Sequence, residues 1–133
     1  MNIDIESEII KVIDIEMKGL SLMREQIDSS VKSAVEIIFN YRGKLILTGM
    51  GKSGLVAKKI ASTMSSVGTP AIFMHPAEGM HGDLGIIAVE DVVIAIGKSG
   101  ESSELNGVLP SIKSLGAKII GIMGDGNSTL AKY

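Results

Sequence analysis

Lys44–Gly54 reads KLILTGMGKSG, and the fold turns on how this stretch is understood. A short apolar run, Leu45–Leu47, ends in Gly49, Gly51 and Gly54. A helical pattern follows through Val56, Ala57, Ile60, Ala61 and Met64. That is strand, glycine turn, helix. Glycines let the backbone turn tightly and approach a ligand closely. The first N–H groups of the helix then point out of the turn, where the helix dipole favours an anion. Lys52 and Ser53 sit at the lip of this candidate phosphate cradle.

Three specific readings compete. A Walker A loop needs glycine six residues before its lysine, and that position is Ile46, so the P-loop reading fails. Gly49, Gly51 and Gly54 match the dinucleotide fingerprint, which also needs an acid at the end of the next strand. The next apolar run, Ala71–Met74, ends instead in His75 and Pro76, and Glu78 comes late. The third reading is a phosphosugar site, with Ser53 giving a hydroxyl and Lys52 a charge. The plain alternative is a βα turn whose glycines only permit close packing.

Outward from this turn, strands and helices alternate. The spacing predicts strands at 44–49, 71–75, 92–97 and 118–124. It predicts helices at 52–66 and 101–116, with a short piece from about Ser128. Val92–Ile96 is a continuous apolar run, as expected of a strand buried on both faces. This alternation implies a parallel sheet flanked by helices, a three-layer α/β sandwich. Residues 1–43 form a separate arm. Ile5, Ile9, Val12, Ile13, Met17 and Leu20 recur at helical spacing, and so do Met23, Ile27, Val31, Ala34, Val35 and Ile38. Gly19 is expected to bend or break the arm and Gly43 to stop its second helix. The arm's apolar stripe packs either on the domain itself or on another subunit.

Every polar cluster of interest follows a strand: Gly51–Gly54, His75–Asp83, Lys98–Glu104 and Gly124–Ser128. Ligands on parallel sheets sit at the carboxyl ends of the strands. Each cluster alone could be an ordinary turn. Lys98–Glu104 is a second cradle, with Ser99, Ser102 and Ser103 at a helix start. Helix capping by serine is its plain alternative. Glu104 is a candidate proton acceptor or a solvated helix residue. His81 is a candidate proton shuttle or a structural histidine bonded to Asp83 or backbone. His75 could contact a hydroxyl or a metal, although no ligand spacing marks a dedicated metal site. No Gly-x-Ser-x-Gly elbow surrounds any serine, which argues against a hydrolase.

Composition narrows the classes further. The chain has 133 residues, 45% hydrophobic but only 3% aromatic, so its core is aliphatic. With no cysteine there is no disulfide or thiolate chemistry. Thirteen basic against 15 acidic residues leave a net charge of −2, which does not suggest nucleic-acid binding. No apolar run reaches membrane-spanning length, and the acidic start MNIDIESEII lacks the basic opening of a secretion signal. A cytoplasmic protein is expected.

GMGKSG, then GTP followed by HPAEGMHGDLG, then SGESSEL, in this order, resemble the sugar isomerase (SIS) domain of arabinose-5-phosphate isomerases. The likeness runs from about Val12 to Ala131. It implies a flavodoxin-like fold and interconversion of D-ribulose 5-phosphate and D-arabinose 5-phosphate through an enediol. The product feeds synthesis of the sugar acid Kdo for lipopolysaccharide and capsule. By the resemblance Ser53, Ser99 and Ser102 are phosphate ligands, and Gly68, Thr69, His75 and His81 contact substrate. Glu104 moves the proton, Lys52 stabilises developing charge, and His81 assists ring opening or proton shuttling. No cofactor is required, and His75 matches a position that can take zinc in relatives. Partners are a pentose 5-phosphate and further copies, as a dimer or tetramer. Two departures stand out. The family usually has serine where this chain has Gly97. It also continues beyond the counterpart of Tyr133 with a further strand and helices that carry another Glu and His, and many members then add paired cystathionine-β-synthase-type domains. The expectation is a partial SIS domain over 44–133 with impaired turnover. A non-catalytic phosphosugar-binding or regulatory module is the other reading.

Overall fold

The structure, a computed structural model, describes residues 4–133. The chain divides into two compact units, one up to Val35 and one from Glu36 to Tyr133. In the first, α1 spans Ile5–Glu25. Asp4 caps it by accepting a hydrogen bond from the Ser7 N–H (3.2 Å). Glu6 and Glu8 in its first turn and Arg24 in its last complement the helix dipole. The break expected at Gly19 is not there, and α1 runs through it. A glycine inside a helix costs only about 1 kcal/mol, which a 21-residue helix absorbs. The break falls at Gln26–Asp28, where the Asp28 carboxylate accepts from the Ser30 N–H (2.8 Å) and opens α2, Ser29–Phe39. The Ser30 side chain and N–H together hold the Asp28 pKa below its ordinary value.

In the second unit the order after α2 is β1 (Leu45–Gly49), α3 (Gly51–Ser66), β2 (Ala71–Met74), α4 (Pro76–Met80) and a 3₁₀ turn at Asp83–Ile86. Then come β3 (Val92–Gly97), α5 (Ser103–Ser114), β4 (Lys118–Met123) and a 3₁₀ turn at Leu130–Lys132. The four strands form one parallel sheet in the order β2-β1-β3-β4. Leu45 is level with Ala71 and Val92, and Gly49 with Ile96. The α/β class and the four predicted strands are therefore as expected. The helix α4 and the 3₁₀ turn after it occupy the stretch expected to be loop.

Alternation along the strands divides the core. Leu45, Leu47, Val92, Ile94 and Ile96 face α3. Small residues Gly54, Ala57 and Ala61 form the buried stripe of α3 and let it lie close to the sheet. Ile46, Val93 and Ala95 face the other way, onto Leu105, Val108, Leu109 and Ile112 of α5. Those four recur at i, i+3, i+4 and i+7, one helical face. Each fully buried Leu, Ile or Val contributes about 1.5–3 kcal/mol. The helices cover opposite faces because β2 lies on one side of β1 and β4 on the other side of β3, and right-handed crossovers then require it.

The amino edge of the sheet is tied by Asp91, which is buried. Its carboxylate accepts from the Lys44 N–H (2.8 Å), the Lys44 ammonium (2.6 Å) and the Ala88 N–H (2.7 Å). Burial raises its pKa, but the Lys44 side chain and the two N–H donors outweigh that and hold it below the ordinary value. Gly43 serves this knot rather than a helix stop. The helix has already ended at Phe39, and a Cβ on Gly43 would strike Asp91 Oδ1.

Candidate functional site

The sheet reverses its winding between β1 and β3, and a crevice opens at the carboxyl ends of such a pair. The turn after β1 and the loop after β3 border it, on strands about 4.8 Å apart. Ser53 and Ser99 thus stand at one edge, as the alternation predicted.

The first border is the start of α3. The three glycines of its turn have different roles. A Cβ on Gly49 would lie 2.7 Å from the Ile96 carbonyl oxygen, and one on Gly54 would press on the Gly49 carbonyl. These two serve close packing. Gly51 has φ +53° and faces open space. The N-cap is Met50, which offers no side-chain acceptor, so the first N–H groups of α3 keep their hydrogen-bonding capacity. Among the described residues the Lys52 ammonium and the Ser53 hydroxyl have no protein partner. An uncapped helix start, a hydroxyl and a cation are what an anion needs.

The second border is Lys98–Ser102. Gly100, at φ +70°, turns it. The Ser99 hydroxyl accepts from the Glu101 N–H (3.2 Å) and keeps its own proton to donate. Ser102 does cap α5, accepting from the Leu105 N–H (3.3 Å). Its proton goes to Glu104 Oε2 (3.1 Å), which also accepts from the Ser103 hydroxyl (3.0 Å). Ser102 would have to turn from Glu104 to donate to a phosphate.

Glu104 is thus a carboxylate held by its own N–H and by Ser103 and Ser102, with the charge of His75 adding to the effect. Its pKa lies below the ordinary value, so it is ionised at neutral pH and able to accept a proton. The same bonds weaken it as a base, and a ligand that drew the serine hydroxyls away would strengthen it.

His75 caps α4, its Nδ1 accepting from the Ala77 N–H (3.3 Å), with Pro76 at the first helical position. That leaves Nε2 as the nitrogen able to face a ligand. Zinc needs three or four ligands, and the described residues hold no group of three His, Asp or Glu that could supply them. His81 ends α4, its N–H bonded to the Glu78 carbonyl (2.9 Å). Its exposed ring has no bond to Asp83 or backbone among the described residues. Gly68 and Thr69 lie elsewhere. They follow α3 at the amino edge of the sheet, with roughly 20 Å of helix between them and Ser53. One copy does not bring them to the cradles.

Asp91 and Glu101 were missed by sequence reasoning. Glu101 accepts from both the N–H and the hydroxyl of Thr129, 2.7 and 2.8 Å away. Those two bonds hold its pKa down.

Fold and site together define a doubly wound α/β protein with an uncapped helix start at its switch point. The SIS domain profile matches residues 37–133, and the chain belongs to that family. It is 48% identical over 115 residues to the arabinose 5-phosphate isomerase KpsF of Escherichia coli O6:H1, covering 86% of this chain and 35% of the relative. It is 43% identical over 122 residues to KdsD of Salmonella typhi, an arabinose 5-phosphate isomerase, covering 92% and 37%. Among solved structures, an E. coli CFT073 protein in complex with arabinose 5-phosphate superposes with a TM-score of 0.82 at 38% identity, covering 99% of this chain and 71% of that one. The chain spans little more than a third of the length of these two curated relatives.

Proposed function

We propose that this chain carries the phosphosugar site of an arabinose 5-phosphate isomerase. The observation that supports it most is the uncapped start of α3 beside the Ser99 loop at the β1/β3 switch point. Ser53, Ser99 and, after turning, Ser102 would hold the phosphate of a pentose 5-phosphate. Glu104 would move the proton between C1 and C2, and Lys52 would stabilise the enediolate oxygen. His81 would assist ring opening, and His75 Nε2 would contact a sugar hydroxyl. No step needs a cofactor. Zinc, if present, would take His75 Nε2 and compete with the sugar. Relatives named for the same isomerisation support this assignment, and with it a role in making lipopolysaccharide or capsule sugars.

Assembly belongs to the same proposal. Ile5, Ile9, Val12 and Ile13 are all more than half exposed, and covering them with a second copy would remove apolar surface from water. Gly68 and Thr69 could contact a substrate only in another copy's site. The proposed location is the cytoplasm. No helix among the described residues is long and apolar enough to cross a membrane.

The test is calorimetry with arabinose 5-phosphate, alongside NMR of ribulose 5-phosphate isomerisation. Binding that Ser99→Ala weakens and Lys52→Ala perturbs is expected. No binding at millimolar sugar phosphate would overturn the site.

A further inference from the structure

The loop after β4 grips the loop after β3 at four points. The Gly124 N–H donates to the Lys98 carbonyl (2.9 Å), and the Leu130 N–H donates to the Gly100 carbonyl (3.0 Å). The Glu101 carboxylate takes both donors of Thr129, 28 residues away. The buried Ser128 hydroxyl sits against Gly100, so that a Cβ on Gly100 would strike it. From the other side, the Asn106 amide donates to the Gly100 carbonyl (2.9 Å).

These contacts orient peptides. In a trans peptide the C=O and N–H point in opposite directions. Holding the Lys98 carbonyl toward Gly124 therefore turns the Ser99 N–H away from the β4 loop. Holding the Gly100 carbonyl toward Leu130 and Asn106 turns the Glu101 N–H the other way, onto Ser99 Oγ. That bond occupies a lone pair of Ser99 and leaves its hydroxyl proton to donate elsewhere. Both donors of Ser99 are thus aimed by the grip of the 124–130 segment. Glu101 is the side chain that fastens this segment, and with both its oxygens on Thr129 its charge is engaged there rather than turned on an anion.

We propose that Glu101 is a positioning residue of the phosphosugar site, clasping Thr129 so that the β4 loop holds the Ser99 donors in their binding direction. This rests on the phosphosugar reading above. It adds a residue with no substrate contact of its own, acting through Ser99.

The test uses the 133-residue chain with inorganic phosphate as the probe. Affinity is read by calorimetry and folding by circular dichroism. Glu101→Ala should weaken phosphate binding about tenfold, roughly the worth of a hydrogen bond to a charged group. Thr129→Val keeps the N–H and should lose less, and Thr129→Ser should restore wild-type affinity. The double variant should bind no worse than Glu101→Ala, because both changes cut one link. Asp91→Asn, which loosens the opposite edge of the sheet, should keep wild-type affinity wherever it is folded. Wild-type affinity in folded Glu101→Ala would overturn the proposal, even if that variant melted earlier. Additive losses in the double variant, or an equal loss in Asp91→Asn, would also overturn it. Absence of phosphate binding by the wild type would overturn the cradle itself, and the clasp with it.

Discussion

Asp91→Asn is expected to destabilise the second unit severely. The substitution is nearly isosteric, so its effect is electrical. One amide oxygen can still accept from the Lys44 N–H. The new NH₂ group then faces the Ala88 N–H and the Lys44 ammonium, two donors that had carboxylate acceptors at 2.7 and 2.6 Å. A hydrogen bond to a charged group contributes about 1.5–3 kcal/mol. Losing two gives about 3–6 kcal/mol, in line with about 3–5 kcal/mol for breaking a buried ion pair. The Lys44 side chain is 30% exposed and can turn to water, which favours the lower end. Against a total of about 5–15 kcal/mol, even a loss of about 3 kcal/mol removes much of the stability. Urea unfolding followed by circular dichroism reads the difference. The pH dependence has a definite sign. The Asp91 pKa is depressed in the folded chain, so its contribution is fully present above the unfolded carboxylate value of about 3.9 and is lost as pH falls through the folded value. Wild type should therefore lose stability below about pH 4, and Asp91→Asn should lose less over that range. A penalty under about 1 kcal/mol, or an unchanged acid profile, would refute the staple.

Gly97→Ser should tighten arabinose 5-phosphate binding roughly two- to tenfold by calorimetry, the range of one added hydrogen bond. A Cβ there meets Leu105 Cδ2 at 3.4 Å and the Gly100 Cα and N at 3.8 Å, all ordinary contacts, so the structure has room for it, and weaker binding would count against the second cradle. Glu104→Gln should lower any isomerase turnover by about 10²–10⁴-fold in the NMR assay while sugar-phosphate binding persists. Retained turnover would remove Glu104 from the chemistry. Ile13→Glu places a charge on a residue that is 51% exposed, so it should leave the fold intact and shift light scattering toward a smaller species. A wild-type chain that already scatters as a monomer would sink the assembly proposal.

The strands were legible to within a residue or two because their chemistry is extreme. Val92–Ile96 can satisfy its apolar run only when covered on both faces, and the glycine turn after β1 leads directly into a helical pattern. From there the placement of Ser53 and Ser99 at one edge follows from topology alone. What escaped was set by partners distant in sequence or by single side-chain rotamers. In HPAEGMHGDLG the glycines suggested loop, yet His75 before Pro76, with Glu78 in the first turn, is a helix-start signature that could have revealed α4. Asp91 reads as an ordinary acid before a strand until register sets it beside Lys44, 47 residues away. Gly19 misled because glycine marks a break only where other forces also favour one.

The two ends of the sheet differ in how their polar groups are paired. At the amino edge, Asp91 has three donors from two loops, and its neighbour Lys44 is bonded to it. The charges of Asp91 and Lys44 are thus engaged with each other, which stabilises the protein. At the carboxyl edge the pairing is incomplete. The start of α3 lacks a side-chain cap, Ser99 keeps a donor, and Lys52 has no protein counter-ion among the described residues. Each missing partner is a stability cost that a cap or an ion pair would remove. The Glu101 carboxylate clasp on Thr129 at this edge binds loop to loop and leaves the Ser99 hydroxyl proton uncommitted. Parallel strands bring both helix starts to this edge, so free donors gather where the helix dipoles favour an anion.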